Sequence, residues 1–307
     1  MKENRVSLEV NVAGIRMRTP VMVASGTFGY GSEYVDFVDL NQLGAIVVKG
    51  ITSEPWSGNP MQRIIETPSG MLNAIGLQNV GVDAFISEKL PYLRDFDVPV
   101  VVNVCGETLE EYCEVTENLD AAEGVAAIEL NISCPNLDCG GMSFGVDSRL
   151  ASELVTEVRE RTGLPLLVKL SPNVTDIAEI ARAIEDAGAD GLSVINTLLG
   201  MAIDAKTRRP QLANLTGGLS GPAIKPIALR MVWQVYNAVK IPIVGMGGIM
   251  TGEDAVEFFI AGASAVAVGT ANFVNPRASL DVTDGIREYL ESQELESIKE
   301  LVGSLVQ

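Results

Sequence analysis

The feature that most constrains this chain is an alternation repeated eight times along its length. Short β-branched or apolar runs occur at Val21–Ala24, Gly44–Lys49, Pro99–Asn103, Gly124–Asn131, Pro165–Lys169, Gly188–Asn196, Pro242–Gly247 and Gly262–Gly269. Between and after them lie stretches with apolar residues near 3.6 spacing, at Ser32–Leu43, Val82–Leu93, Thr108–Leu119, Ser148–Thr162, Asp176–Ala187, Ile224–Val239, Thr251–Ala261 and Leu280–Leu290. Thr108 with Glu111, and Thr251 with Asp254, are helix-start signals. Eight strands alternating with eight helices predict an α/β fold, a closed parallel (β/α)8 TIM barrel in preference to an open doubly wound sheet. Leu8–Val12 and Ile15–Arg18 flank Ala13-Gly14 and predict an N-terminal β-hairpin plugging the barrel floor. Two connections, Gly50–Val80 and Thr197–Pro222, are longer than ordinary βα loops and are expected to enclose a substrate at the C-terminal face. No linker or low-complexity segment divides the chain, so residues 1–307 read as a single domain.

Composition narrows the function. Hydrophobic residues make up 47% and charged residues 20%, a balance that buries a large core. The net charge of −18, from 22 Lys+Arg against 40 Asp+Glu, argues against a broad surface for nucleic acid or anionic lipid. No apolar run approaches the roughly 20 residues that span a bilayer. The polar start Met1–Arg5 leads into strand-like alternation without a signal-peptide core, and the expected location is cytoplasmic. Four cysteines without a Cys-x-x-Cys pair read as reduced thiols. The chain has no histidine, which removes His-based zinc sites, Ser-His-Asp triads and Cys-His dyads together. Cys134 and Cys139 alone are too few ligands, so no metal site is expected.

The strand ends carry the chemistry. Ser25, Lys49, Asn103, Asn131, Lys169 and Asn196, then Gly247-Gly248 and Gly269-Thr270, stand at the carboxyl ends of successive strands and so face one mouth. Singly, an Asn there is a turn former and a Lys is solvated. Together they describe a site. Glycines at the last two strand ends let backbone N–H groups approach a phosphate, the usual phosphate position in such barrels, and Gly217-Gly218-Leu-Ser-Gly221-Pro222 adds further amides. Met250 stands where a dinucleotide fingerprint needs its third glycine, which excludes that reading. A phosphorylated planar cofactor such as FMN fits, with Lys169 or Lys49 near its N1/C2 edge. Schiff-base chemistry by either lysine is the competing reading. Cys113 falls in a helix pattern and Cys105 follows a buried strand, as inert thiols do. Cys134 lies instead in the polar run Asn131-Ile-Ser-Cys-Pro-Asn136, where a thiol near cations can accept a proton.

At these residues the chain resembles the dihydroorotate dehydrogenases. The motifs are Val23-Ala-Ser-Gly-Thr-Phe-Gly29, Asn73-Ala-Ile-Gly-Leu-Gln78, Glu129-Leu-Asn-Ile-Ser-Cys-Pro-Asn136, Val168-Lys-Leu-Ser-Pro-Asn173, Ile195-Asn-Thr197, Thr216-Gly-Gly-Leu-Ser-Gly-Pro222 and Gly245-Met-Gly-Gly248. The resemblance implies one FMN per chain, held by Ser25, Lys49, Gly50, Asn103, Asn131, Lys169, Ile195, Gly221, Gly247, Gly248, Gly269 and Thr270. It implies dihydroorotate contacts at Lys49, Asn73, Ala74, Ile75, Gly76, Leu77, Asn131, Asn196 and Thr197. It makes Cys134 the base that removes the C5 proton while the C6 hydride goes to flavin N5, yielding orotate for pyrimidine biosynthesis. The run from Cys134 to Gly145 resembles the NAD-linked class (1B), which implies a partner subunit carrying FAD and a 2Fe-2S cluster, in a heterotetramer built on a homodimer of this chain. A fumarate-linked enzyme or another pyrimidine-reducing flavoprotein is the alternative. A non-enzymatic flavin-binding barrel is the remaining one, and it would not require Cys134 or the asparagines.

Overall fold

A computed structural model describes residues 6–132 and 144–306. The barrel strands are β1 (Val21–Val23), β2 (Ala45–Ile51), β3 (Val100–Val104), β4 (Ala127–Asn131), β5 (Leu166–Lys169), β6 (Gly191–Val194), β7 (Ile243–Met246) and β8 (Ala265–Val268). All are parallel, each pairs with its sequence neighbour, and β8 closes onto β1. Helices cover the outer face and side chains fill the interior, so these strands are buried on both sides and read as nearly unbroken apolar runs. Every residue of β3 is buried, for example. The eight predicted runs and the eight strands coincide.

Seven of the expected helical stretches are helical. Val82–Leu93 is a composite of Val82–Ala84, a π-helical turn at Phe85–Lys89 and Leu90–Leu93. Thr251 and Asp254 form a reciprocal capping box. Thr108 caps Glu111 N–H, while the Glu111 carboxylate accepts from Glu107 N–H and Ser53 instead. Ser32–Leu43 departs from expectation: it is a chain of turns ending in a 3-10 helix at Leu40–Gln42. Val35 and Val38 disfavour helix, and Asp39 accepts from Asn41 N–H to start the tighter turn. Tyr34, Val38, Leu40 and Leu43 of this stretch still reach the core, with the Tyr34 ring stacked on Phe28 at 4.0 Å, while Val35 and Phe37 stay exposed.

The hairpin pairs Val10–Val12 with Ile15–Met17 through Ala13 and Gly14, both at positive φ. Gly14 lies beside Pro165 and Ala13 beside Gly191, at the amino ends of β5 and β6, which puts the hairpin at the barrel floor as expected. At the opposite end the two long connections do more than loop. Residues 50–80 contribute Ile64–Thr67 and Gly70–Asn73, and residues 197–222 contribute Leu198–Gly200 and Gly217–Ser220. These four segments form one antiparallel sheet over the mouth, with Gly218 opposite Asn73 at the seam between the two connections. None of its strands exceeds four residues, too short to show alternation. No helix of the described residues is long and apolar enough to cross a membrane.

Candidate active site

Between the barrel mouth and this cover lies a cavity of about 720 Å³, inside the range of roughly 300–1,000 Å³ typical of small-molecule sites. Its walls include Ser25, Lys49, Gly50, Asn73, Ile75, Gly76, Leu77, Asn103, Asn131, Lys169, Ile195, Asn196, Thr197, Gly221, Gly247, Gly248, Gly269 and Thr270. Of the residues singled out in the sequence, two are not among them. Ala74 is not in the wall: its side chain turns away from the cavity and packs with Leu72 and Leu212 in a small core of the cover. Backbone alternation explains this, because Asn73 and Ile75 face inward and the residue between them cannot. Cys134 lies outside the described residues.

The floor of the cavity is a polar layer set by strand register. Asn103 lies opposite Glu129, Asn131 opposite Lys169, and Lys169 opposite Ser193. Asn103 Nδ2 donates to Glu129 at 2.6 Å and Ser193 Oγ donates to its other oxygen at 2.7 Å. Lys169 Nζ stands 3.3 Å from Ser25 Oγ and 3.7 Å from Glu129. Asn131 Nδ2 donates to Asn103 Oδ1 at 3.4 Å, and its backbone oxygen accepts from Tyr112. Such cross-bonding fixes the amide groups before any ligand arrives. Strand-end position does not pick out Glu129, although a carboxylate inside the run Ala127-Ile-Glu-Leu-Asn131 points into the barrel when its neighbours face the helices.

One end of the cavity is a glycine cradle. Gly221, Gly247 and Gly248 adopt φ of 90°, 126° and 81°, which side-chain-bearing residues avoid. A Cβ at Gly248 would lie 2.8 Å from Lys225 Cβ and 2.9 Å from the Gly221 oxygen. Close by, Thr270 Oγ1 donates to Ser220 at 2.8 Å. The opposite end is lined by Asn73, Asn196 and Thr197. Asn173 holds them through Nδ2 on the Thr197 oxygen and Oδ1 on Leu199 N–H, and Asn73 Nδ2 donates to the Gly218 oxygen. Glycine is required at 218, where a Cβ would fall 2.1 Å from Thr197 Oγ1. Lys49 is half-buried beside this end, and burial pulls its ammonium below the ordinary lysine range, with Glu33 opposing and Arg63 adding to the shift. Glu33, Tyr34, Phe37 and Phe273 complete the wall without having been foreseen.

A sequence model for a family described as dihydroorotate dehydrogenase matches residues 7–290. Among similar proteins are three described as dihydroorotate dehydrogenase B (NAD(+)), catalytic subunit. The one from Geotalea uraniireducens is 61% identical over 97% of this chain and 98% of its own length. That from Alkaliphilus metalliredigens is 59% identical over 98% and 99% respectively. That from Desulforamulus reducens is 60% identical over 98% and 99%.

Proposed function

Because this chain belongs to the dihydroorotate dehydrogenase family, we propose that it is the catalytic subunit of an NAD-linked enzyme oxidising (S)-dihydroorotate to orotate in pyrimidine biosynthesis. The observation that carries the reading is one cavity with a phosphate-sized glycine cradle at one end and cross-bonded amides with a lysine at the other. The family uses FMN, and the residues here fit it. Gly221, Gly247 and Gly248, at positive φ and with no room for a Cβ against their neighbours, leave backbone amides for its phosphate, and Ser25, Asn103 and Lys169 offer hydrogen bonds to the ring edge. Bound there, FMN supplies an acceptor for the hydride leaving C6 of the substrate.

The protein's own groups do the rest. Lys49 pairs with the substrate carboxylate, while Asn73, Asn131, Asn196 and Thr197 satisfy the imide and ring N–H groups. Cys134, three residues beyond Asn131, takes the proton from C5. Loss of that proton and of the C6 hydride leaves the C5=C6 double bond of orotate. A buried, cross-bonded floor holds these donors in place with little reorganisation. Electrons then pass to NAD+ through a partner subunit carrying FAD and a 2Fe-2S cluster, in a heterotetramer built on a homodimer of this chain. Residues 1–307 act as one FMN-binding domain, in the cytoplasm, where the buried thiols of Cys105 and Cys113 stay reduced.

Anaerobic mixing of the yellow protein with dihydroorotate is expected to bleach the flavin. Bleaching by dihydrouracil and not by dihydroorotate would sink the substrate assignment. Coupled NAD+ reduction is expected only after the partner subunit is added. The role of Lys49 predicts a pH effect. Its folded value is depressed, so the cation that binds substrate is present below that value and lost as pH rises through it. The KM for dihydroorotate is therefore expected to climb at a pH below the ordinary lysine range, and Lys49→Met to show a high KM without that alkaline limb. A KM flat to pH 10 in the unmodified enzyme would contradict the role.

A further inference from the structure

Among the described residues, Glu129 and Lys169 are the only Asp, Glu, Lys or Arg side chains withdrawn from solvent, at 1% and 5% exposure. Resting on the FMN reading above, we propose that Glu129 is a positioning residue whose carboxylate keeps Lys169 charged at the cofactor edge. A buried charge forfeits hydration amounting to several kcal/mol and persists only where other groups replace it. For Glu129 the replacement is complete, because both oxygens accept short bonds, from Asn103 on β3 and Ser193 on β6. The anion is thus fixed by neutral donors independently of the lysine. For Lys169 the replacement is partial. Its neutral acceptor is Ser25 Oγ at 3.3 Å, and the carboxylate lies at 3.7 Å, too far for a hydrogen bond and close enough for Coulomb attraction between two buried groups. The ammonium therefore depends on the carboxylate, and the reverse does not hold.

No other described charge competes at that distance. Around the lysine, β1 presents Ser25, β4 Glu129 and Asn131, β6 Ser193, and β3 Asn103 with the Cys105 thiol bonded to it. Lys49 of β2 and Glu33 line the same cavity, and β7 and β8 contain no ionisable residue. Glu129→Gln keeps shape and bonding, since its carbonyl can accept from Asn103 and its amide can donate to Ser193 Oγ.

The test is the midpoint potential of bound FMN measured against pH in the unmodified holoprotein, in Glu129→Gln, and in Glu129→Gln with Lys169→Met. In Glu129→Gln the curve is expected to gain an inflection between neutrality and the ordinary lysine value of about 10.4, falling below the unmodified curve on its alkaline side. Adding Lys169→Met should remove the inflection. Parallel curves, or an inflection that survives the second change, overturn the proposal. Where Glu129→Gln holds FMN too weakly for electrochemistry, fluorescence quenching gives the same decision. Its FMN Kd should weaken progressively over that pH range while the unmodified protein's does not, and a loss independent of pH overturns the proposal. An unmodified protein that takes up no FMN would refute the cofactor reading itself, which separates the two failures.

Discussion

Replacing Cys134 by alanine is expected to leave the protein yellow and to slow its anaerobic bleaching by dihydroorotate by about 10²-fold or more, the scale on which a positioned general base acts. The reason for so large an effect is the lack of substitutes. The chain has no histidine, and in the proposed arrangement Lys49 is taken up by the substrate carboxylate and Lys169 by Glu129 and the cofactor edge. Water would have to remove the C5 proton unaided. In the unmodified enzyme the bleaching rate should rise with pH as the thiol ionises, the ordinary value of a free thiol being about 8.5. The alanine variant should lose that rise. Stopped-flow absorbance at the flavin band measures both, and an unchanged rate would remove Cys134 from the mechanism.

The second large effect is expected at Gly248, where alanine should give a folded, colourless protein with FMN affinity weakened about 10²-fold. Placing a Cβ at φ 81° costs of order 1–3 kcal/mol, and each 1.4 kcal/mol is a factor of ten in Kd. The neighbours cannot yield to relieve it. One is the backbone of Gly221, itself at positive φ with Gly70 against it. The other is Lys225, whose ammonium is tied to Asp254 at 2.6 Å and Glu257 at 3.0 Å on the next helix. Gly163→Ala is the matched control, since a Cβ there meets nothing within 4 Å. Equilibrium titration with FMN, alongside circular dichroism to verify the fold, decides the matter. A Gly248→Ala protein that binds FMN as tightly as the control would show that the cradle does not hold the phosphate.

The barrel was legible because its signal is redundant. Each strand is buried on both faces, so β-branched runs such as Val100–Val104 stand out against any helix, and the regular alternation fixes the order. The cover was not legible, since Gly217–Ser220 and Gly70–Asn73 gain strand character from each other across the seam and carry little of their own. Ser32–Leu43 shows the converse error. Tyr34, Val38, Leu40 and Leu43 do reach the core, but turns at Gly31 and Asp39 bring them there without helical hydrogen bonds. Within the site, strand-end position was enough to find Ser25, Lys49, Asn103, Asn131 and Lys169. A motif treats Ala74 like its neighbours, while an extended backbone turns its side chain away from the cavity they line. Glu129 escaped notice because its importance lies in pairing with a residue forty positions away, which only the β4–β5 register reveals. The role of Cys134 came from family resemblance, with the lack of histidine making a thiol base chemically reasonable.

The seam between Gly218 and Asn73 joins two connections that the barrel itself does not need. None of the eight staves takes a ladder bond from that canopy, so the ring is complete beneath it. The glycine cradle nevertheless straddles the two, because Gly221 ends the second connection while Gly247 and Gly248 belong to the ring. Revising the Ile203–Pro210 ribbon leaves that junction untouched, whereas recutting the Ser220 edge disturbs canopy and staves at once.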